Sequence, residues 1–235
     1  VEHVICEVSG TRPSNWCPEQ RTEIFAADQP PLPEGEDLWQ RVLLDTWTGL
    51  EASNACSDFT DEQFVINVTD PWAREWILDS DAGRSWAREM DFDRPYTFTP
   101  ERECRADDPR PRLEFTRPDN NSTIRENPLN IHGVADATDW FDFYRLDYGI
   151  GTDPVEWHEL ERNRRPVSQP EEIYEWDLLD LIGEEIPAGP VTLRLYMEST
   201  RDTYAETEIT VNLQVPTPTP TPTVTPTETP TPTFT

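Results

Sequence analysis

Apolar and polar positions alternate with a period of two through much of the second half of the chain. VTLRLYM (191–197) sets Val191, Leu193, Leu195 and Met197 against Thr192, Arg194 and Tyr196. EITVNLQV (208–215) does the same with Ile209, Val211, Leu213 and Val215. In WFDFYRLDYG (140–149), Trp140, Tyr144, Leu146 and Tyr148 share one face. Successive side chains of a strand point to opposite faces, so this period marks strands with one buried side. RLEF (112–115), LNIHGVA (129–135) and VEWHEL (155–160) are shorter candidates, divided by Asn, Asp, Gly and Pro clusters. About seven short strands in roughly 100 residues predict an immunoglobulin-like β-sandwich over 106–215. This span has no cysteine, so its core must hold by aliphatic and aromatic burial alone.

Upstream, the polar RADDPRPR (105–112) reads as a linker, and AADQPPLPEGED (26–37) divides the rest into 1–35 and 36–105. These two pieces are related. Sliding residues 4–25 by 39 positions, without a gap, sets Ser9 on Thr48, Gly10 on Gly49, Ser14 on Ser53 and Asn15 on Asn54. Cys17 then falls on Cys56, Glu23 on Glu62 and Phe25 on Phe64. Each copy predicts a strand, a Gly turn and an extended return, a duplicated hairpin. TDPWAREWILDSDAGRSWAREM (69–90) is the helical stretch, with Asp70 as N-cap, Pro71 at the first position and Trp72 and Trp76 on one face. Gly83 is expected to end or break it. The last twenty residues, 216–235, are Thr-Pro repeats, which favour polyproline II and would extend roughly 60 Å as a disordered stalk. The predicted class is therefore mainly β: disulfide-stapled hairpins with one or two short helices, a sandwich and a stalk.

Four cysteines, Cys6, Cys17, Cys56 and Cys104, carry the clearest candidate chemistry. Zinc sites use Cys or His pairs two to four apart, twice over; here the spacing is wide and only His3 lies near Cys6. No redox Cys-x-x-Cys is present. Disulfides fit better, and the duplication selects the pairing: the position of Cys6 is Asp45 in the second copy, so Cys6 closes its own hairpin with Cys17 and leaves Cys56 for Cys104. Each bridge would stabilise by about 2–4 kcal/mol.

Composition removes whole reaction classes. All 19 basic residues are Arg, which excludes Schiff-base lysines, the P-loop and the lysine motifs of penicillin-recognising enzymes. The 47 acidic residues give a formal charge of −28, which disfavours nucleic acid and anionic lipid. No run of about 18 apolar residues would span a bilayer. DSDAG (79–83) begins like a calcium loop, but Gly comes one position early and Met90 stands where the bidentate Glu is needed, so it reads as an acidic helix-end turn. No Gly-x-Ser-x-Gly elbow occurs, and His3, His132 and His158 sit in unrelated contexts. No catalytic, metal or cofactor residue is expected. Nine tryptophans could form a sugar-stacking platform, the carbohydrate-binding alternative; Trp140, Trp157 and Trp176, at strand starts, read instead as core. Asn67 and Asn121 lie in glycosylation sequons, of consequence only in a eukaryotic secretory pathway.

VICEVSGTRPSNWCPEQRTEIFA and LLDTWTGLEASNACSDFTDEQFV resemble the extensions that follow the transpeptidase domain in class A, bifunctional penicillin-binding proteins. In those, an apolar strand runs into a Thr-Gly or Ser-Gly turn, then a Cys-Pro-like segment and an acidic-Phe stretch. LEFTRPDNNSTIRENPLNIHGVADATDWFDFYRLDYGIG, with WDLLDLIGEEIPAGPVTLRLYM, is similar to the Ig-like module that ends such proteins, and the Thr-Pro tail to those of several Chloroflexota-type members. The resemblance implies a non-catalytic, extracytoplasmic region of a peptidoglycan synthase, in the cell envelope or secreted. Its partners would be peptidoglycan or cell-envelope proteins, and an anchor or signal is expected upstream of Val1. No catalytic motif of the family is carried by this chain.

Overall fold

The computed structural model describes residues 1–178 and 188–214; the Thr-Pro segment lies outside them. Strands dominate. Hairpin 1 pairs β1 (Glu2–Cys6) with β2 (Gln20–Ile24), and hairpin 2 pairs β3 (Trp39–Asp45) with β4 (Thr60–Ile66), both antiparallel. Two helices follow, α1 (Pro71–Asp79) and α2 (Asp81–Glu89).

The two hairpins repeat each other bond for bond. Gly10 and Gly49 both sit at φ +70°, the left-handed region open to glycine, where each turn reverses. Gly10 N donates to Cys6 O at 2.9 Å, and Gly49 N to Asp45 O at 2.8 Å. Cys17 N and Cys56 N donate to the Ser14 and Ser53 carbonyls, while the Ser14 and Ser53 hydroxyls accept from Trp16 N and Ala55 N. The gapless alignment fails only after the cysteine. Cys6 pairs with Gln20, but its equivalent Asp45 pairs with Thr60, so the second copy has one extra residue before its return strand. It falls in Ser57-Asp58, where the first copy has only Pro18: Thr46 N donates to Phe59 O as Glu7 N does to Glu19 O, so Phe59 stands at the position of Glu19, and its side chain packs on the sandwich core. The structural partner of Phe64 is therefore Ile24, not Phe25.

The helical stretch corrects a sequence expectation. The break is at Ser80, which caps both helices: its N–H closes α1 on Trp76 O, and its hydroxyl accepts from Gly83 N at 2.8 Å. Gly83 lies inside α2, where a Cβ would stand 2.1 Å from Trp76 O and 2.7 Å from Ile77 Cα. It is glycine because the helices cross there backbone to backbone. As expected, Asp70 caps α1 by accepting from Ala73 N. Ile77 and Ala87 are buried with Leu38, Trp39, Ile66 and Phe92 beneath hairpin 2. Trp72 and Trp76 stay outside this core, Trp72 at 81 % exposure.

The C-terminal half is two facing sheets. One carries β10–β7–β5, where β5 is Pro111–Arg117, β7 Leu129–Ala137 and β10 Val167–Trp176. The other runs β6–β12–β11–β8–β9, with β6 Thr123–Ile124, β8 Phe141–Ile150, β9 His158–Asn163, β11 Gly189–Ser199 and β12 Tyr204–Leu213. The sequence pattern missed β6 and β10. In β10 the stretch Gln169-Pro170-Glu171-Glu172 is exposed, and only Val167, Ile173 and Trp176 are buried, so no period of two is visible. Tyr144, Leu146, Tyr148, Leu193, Leu195, Met197 and Val211 meet Leu113, Ile131, Ala135, Ile173 and Trp176 between the sheets. Trp176 ends its strand rather than starting it.

Candidate functional site

Both predicted disulfides are present, Cys6–Cys17 and Cys56–Cys104. Each meets a buried aspartate, Asp37 in the first case and Asp45 in the second. The two clusters are permuted versions of one arrangement. In the first, the strand supplies Cys6 and the segment after the hairpin supplies Asp37. In the second, the strand supplies Asp45 and the downstream segment supplies Cys104. Both carboxylates serve the turn: Asp37 accepts from Ser9 Oγ and Ser14 N, each at 2.7 Å, and Asp45 accepts from Thr48 N at 3.0 Å and from the Thr48 hydroxyl. With their sulfurs bonded to each other, the cysteines offer no thiolate to a metal, and each cluster is a staple. His3 packs edge-on against Phe25.

These clusters sit at joints. The turn of hairpin 1 rests on the open end of hairpin 2: Trp16 lies edge-on to Phe64, and the Arg41 guanidinium lies 4.6 Å from the Trp16 ring centre. The turn of hairpin 2 rests in turn on the sandwich. Trp47, fully buried, enters the sandwich core; Thr203 Oγ1 donates to Trp47 O at 2.7 Å and Tyr204 N to Thr46 O at 3.1 Å. The Ser53 hydroxyl donates to Cys104 O at 2.7 Å on the segment that leads into β5.

Beside this second joint lies the richest concentration of polar side chains, the outer face of the five-stranded sheet. Cross-strand registry places Glu208, Arg194 and Asp147 in one row and Glu206, Tyr196 and Arg145 in the next. Asp147 is 2 % exposed although it faces outward, because Arg194 and Arg145 close over it at 2.8 Å each. Arginines also cover aromatic faces: Arg145 on Tyr196, Arg162 on Phe143, Arg194 on Trp157 and, at the sheet's end, Arg201 on Trp140. Where this face meets hairpin 2, Asp58, Phe59, Asp61, Tyr204, Glu206 and Glu208 line a cleft of about 480 Å³. Burial, then the neighbouring Glu206, raises the Glu208 carboxyl above its ordinary value. Burial, then Asp61 and Glu206, raises the Tyr204 phenol.

The remaining candidates have structural partners. Ser80 and Asp81 of the DSDAG stretch belong to the helix junction, Asp81 pairing with Arg84. His158 stacks on Tyr148, and His132 lines an open groove of about 810 Å³ with Arg117 and Arg125. Among the described residues no histidine is hydrogen-bonded to a serine, threonine or cysteine side chain. The Asn67 amide donates to Gly35 O and Asp37 O and accepts from Thr99, whereas Asn121 is exposed in a turn. Trp176 is core as expected; Trp140 is half-buried and packs against that core, and Trp157 is half-buried under Arg194 outside it. The outer-face ladder was hidden in the sequence because its rows join residues about fifty positions apart.

No helix among the described residues is long and apolar enough to cross a membrane. The two disulfides suit an oxidising, extracytoplasmic compartment. No family model matches the chain, and no curated protein matches it. Among solved structures it is similar to an engineered protein, at 12 % identity over 65 % of this chain and 29 % of that one, with a TM-score of 0.30.

Proposed function

We propose that the chain is a non-catalytic accessory region of a peptidoglycan synthase, a stiff extracytoplasmic spacer that positions the enzyme against wall or envelope partners. The observation that carries this reading is the head-to-tail docking: the turn of each hairpin is seated on the next module, with a disulfide and a buried aspartate at each joint. Such joints resist bending, since separating modules takes the Trp16 ring off Phe64 and Arg41 at the first and exposes the buried Trp47 at the second. The strand order β10–β7–β5 facing β6–β12–β11–β8–β9 supports an immunoglobulin-like identity for the sandwich. The missing lysines argue against a transpeptidase within this chain.

A carbohydrate-binding module would offer bare aromatic faces. Within the sandwich Trp176 is buried, and arginines already lie on Trp140 and Trp157, so this alternative gains nothing. Two measurements test the proposal. Labelled penicillin is expected to leave the isolated chain unmodified, and acylation would refute the non-catalytic role. The reading frame that encodes this chain is expected to encode a transpeptidase ahead of Val1; its absence would refute the synthase assignment.

A further inference from the structure

We propose that the Glu2/Ile24 corner of hairpin 1, with Val4 beside it, is a docking seat for the turn of a further module of the same kind, placed ahead of hairpin 1 in a tandem array. The inference rests on the repeat and stands apart from the synthase assignment. In hairpin 2 the cross-strand pair Arg41/Phe64 receives Trp16, on the face that also carries Leu43. Glu2 pairs with Ile24 at the equivalent place in hairpin 1, and Val4 is the equivalent of Leu43. The difference between the faces is at the pair itself: Ile24 is 75 % exposed where its counterpart Phe64 is partly buried, while Val4 and Leu43 are exposed alike. An isolated two-stranded hairpin is marginal in water, and large apolar residues left together on one face mark a contact surface.

The chemistry of the seat specifies its occupant. Arg41 presents a guanidinium to an aromatic ring, whereas its counterpart Glu2 is an acid, so this seat calls for an apolar side chain beside a basic one. The turn GTRPSNW of hairpin 1 carries such a pair, Arg12 and Trp16. Both turns of this chain are already seated, one on hairpin 2 and the other on the sandwich, so the occupant is an additional module rather than a second copy meeting the first end to end.

The test repeats residues 1–39 directly ahead of Val1. The added copies of Asp37, Leu38 and Trp39 then precede Val1 as the originals precede Gln40. Amide hydrogen exchange in Glu2–Cys6 and Gln20–Ile24 is expected to slow by about tenfold or more relative to the original chain. Ile24→Asp in the extended chain is expected to restore the original rate, while leaving the melting midpoint of the unextended chain unchanged. Exchange in these strands that is the same with and without the added module overturns the proposal, whether or not that module folds, because a seat that binds the turn would order it.

Discussion

Asp147 shows how much one residue can carry on an outward face. A carboxylate with its side chain 3 % exposed is sustained by two guanidiniums that are themselves partly covered. Removing it leaves two like charges packed together without their counter-ion. Because both arginines keep some contact with water, Asp147→Ala is expected to cost about 2–3 kcal/mol, below the 3–5 of a fully buried pair; urea denaturation measures it. Glu208 is the opposite case. Its folded-state value is raised, so the folded chain holds that proton more tightly than the unfolded one, and the charge destabilises above the folded value. Glu208→Gln should therefore raise the melting midpoint slightly at pH 7, with the gain vanishing below the ordinary carboxylate range. Asp108, held well below that range by its hydrogen bonds from Arg102 and the Arg105 N–H, reverses the sign. Asp108→Asn should destabilise at neutral pH, with the loss fading only in strong acid.

At the scale of elements, Gly83 and Ser80 separate two functions that the sequence pattern ran together. Ser80 breaks the helix by capping, so Ser80→Ala should cost about 1 kcal/mol, the usual value of a lost N-cap. Gly83 keeps two backbones in contact, and Gly83→Ala should cost about 1–3 kcal/mol through overpacking. The larger loss for alanine at 83, read from denaturation midpoints, would separate close approach from helix breaking, since alanine is the better helix former. The hairpins were legible because a Ser/Thr-Gly turn followed by Ser-Asn-x-Cys leaves a local signature, and the disulfide pairing followed from Asp45 standing at the Cys6 position. Local patterns also located β7, β8, β11 and β12, whose inner residues alternate. β10 escaped because its middle is exposed. The extra residue between Cys56 and Phe59 escaped because only the register between strands reveals it.

At the scale of the whole molecule, two joints make one body of three modules, and Trp47 is the second joint. It occupies the position of Val8 in hairpin 1, which is exposed, so the same turn has been given a side chain long enough to reach the sandwich core. Among the described residues its indole N–H has no hydrogen-bond partner, so apolar burial, not the polar atom, holds the joint. Two substitutions distinguish these contributions. Trp47→Phe keeps a ring and removes an unsatisfied donor, and should cost no more than about 1.5 kcal/mol. Trp47→Ala opens a cavity and should cost about 3–5 kcal/mol. The second loss should also change the form of unfolding. The Cys56–Cys104 bridge still ties hairpin 2 to the segment entering β5, but a tether does not transmit cooperativity as a packed indole does. Trp47→Ala is therefore expected to split the calorimetric transition into a lower one for the hairpins and a higher one for the sandwich, while Trp47→Phe keeps the unsubstituted profile. A single transition in Trp47→Ala would mean that Phe59 and the Thr203 and Tyr204 hydrogen bonds suffice to hold the modules together.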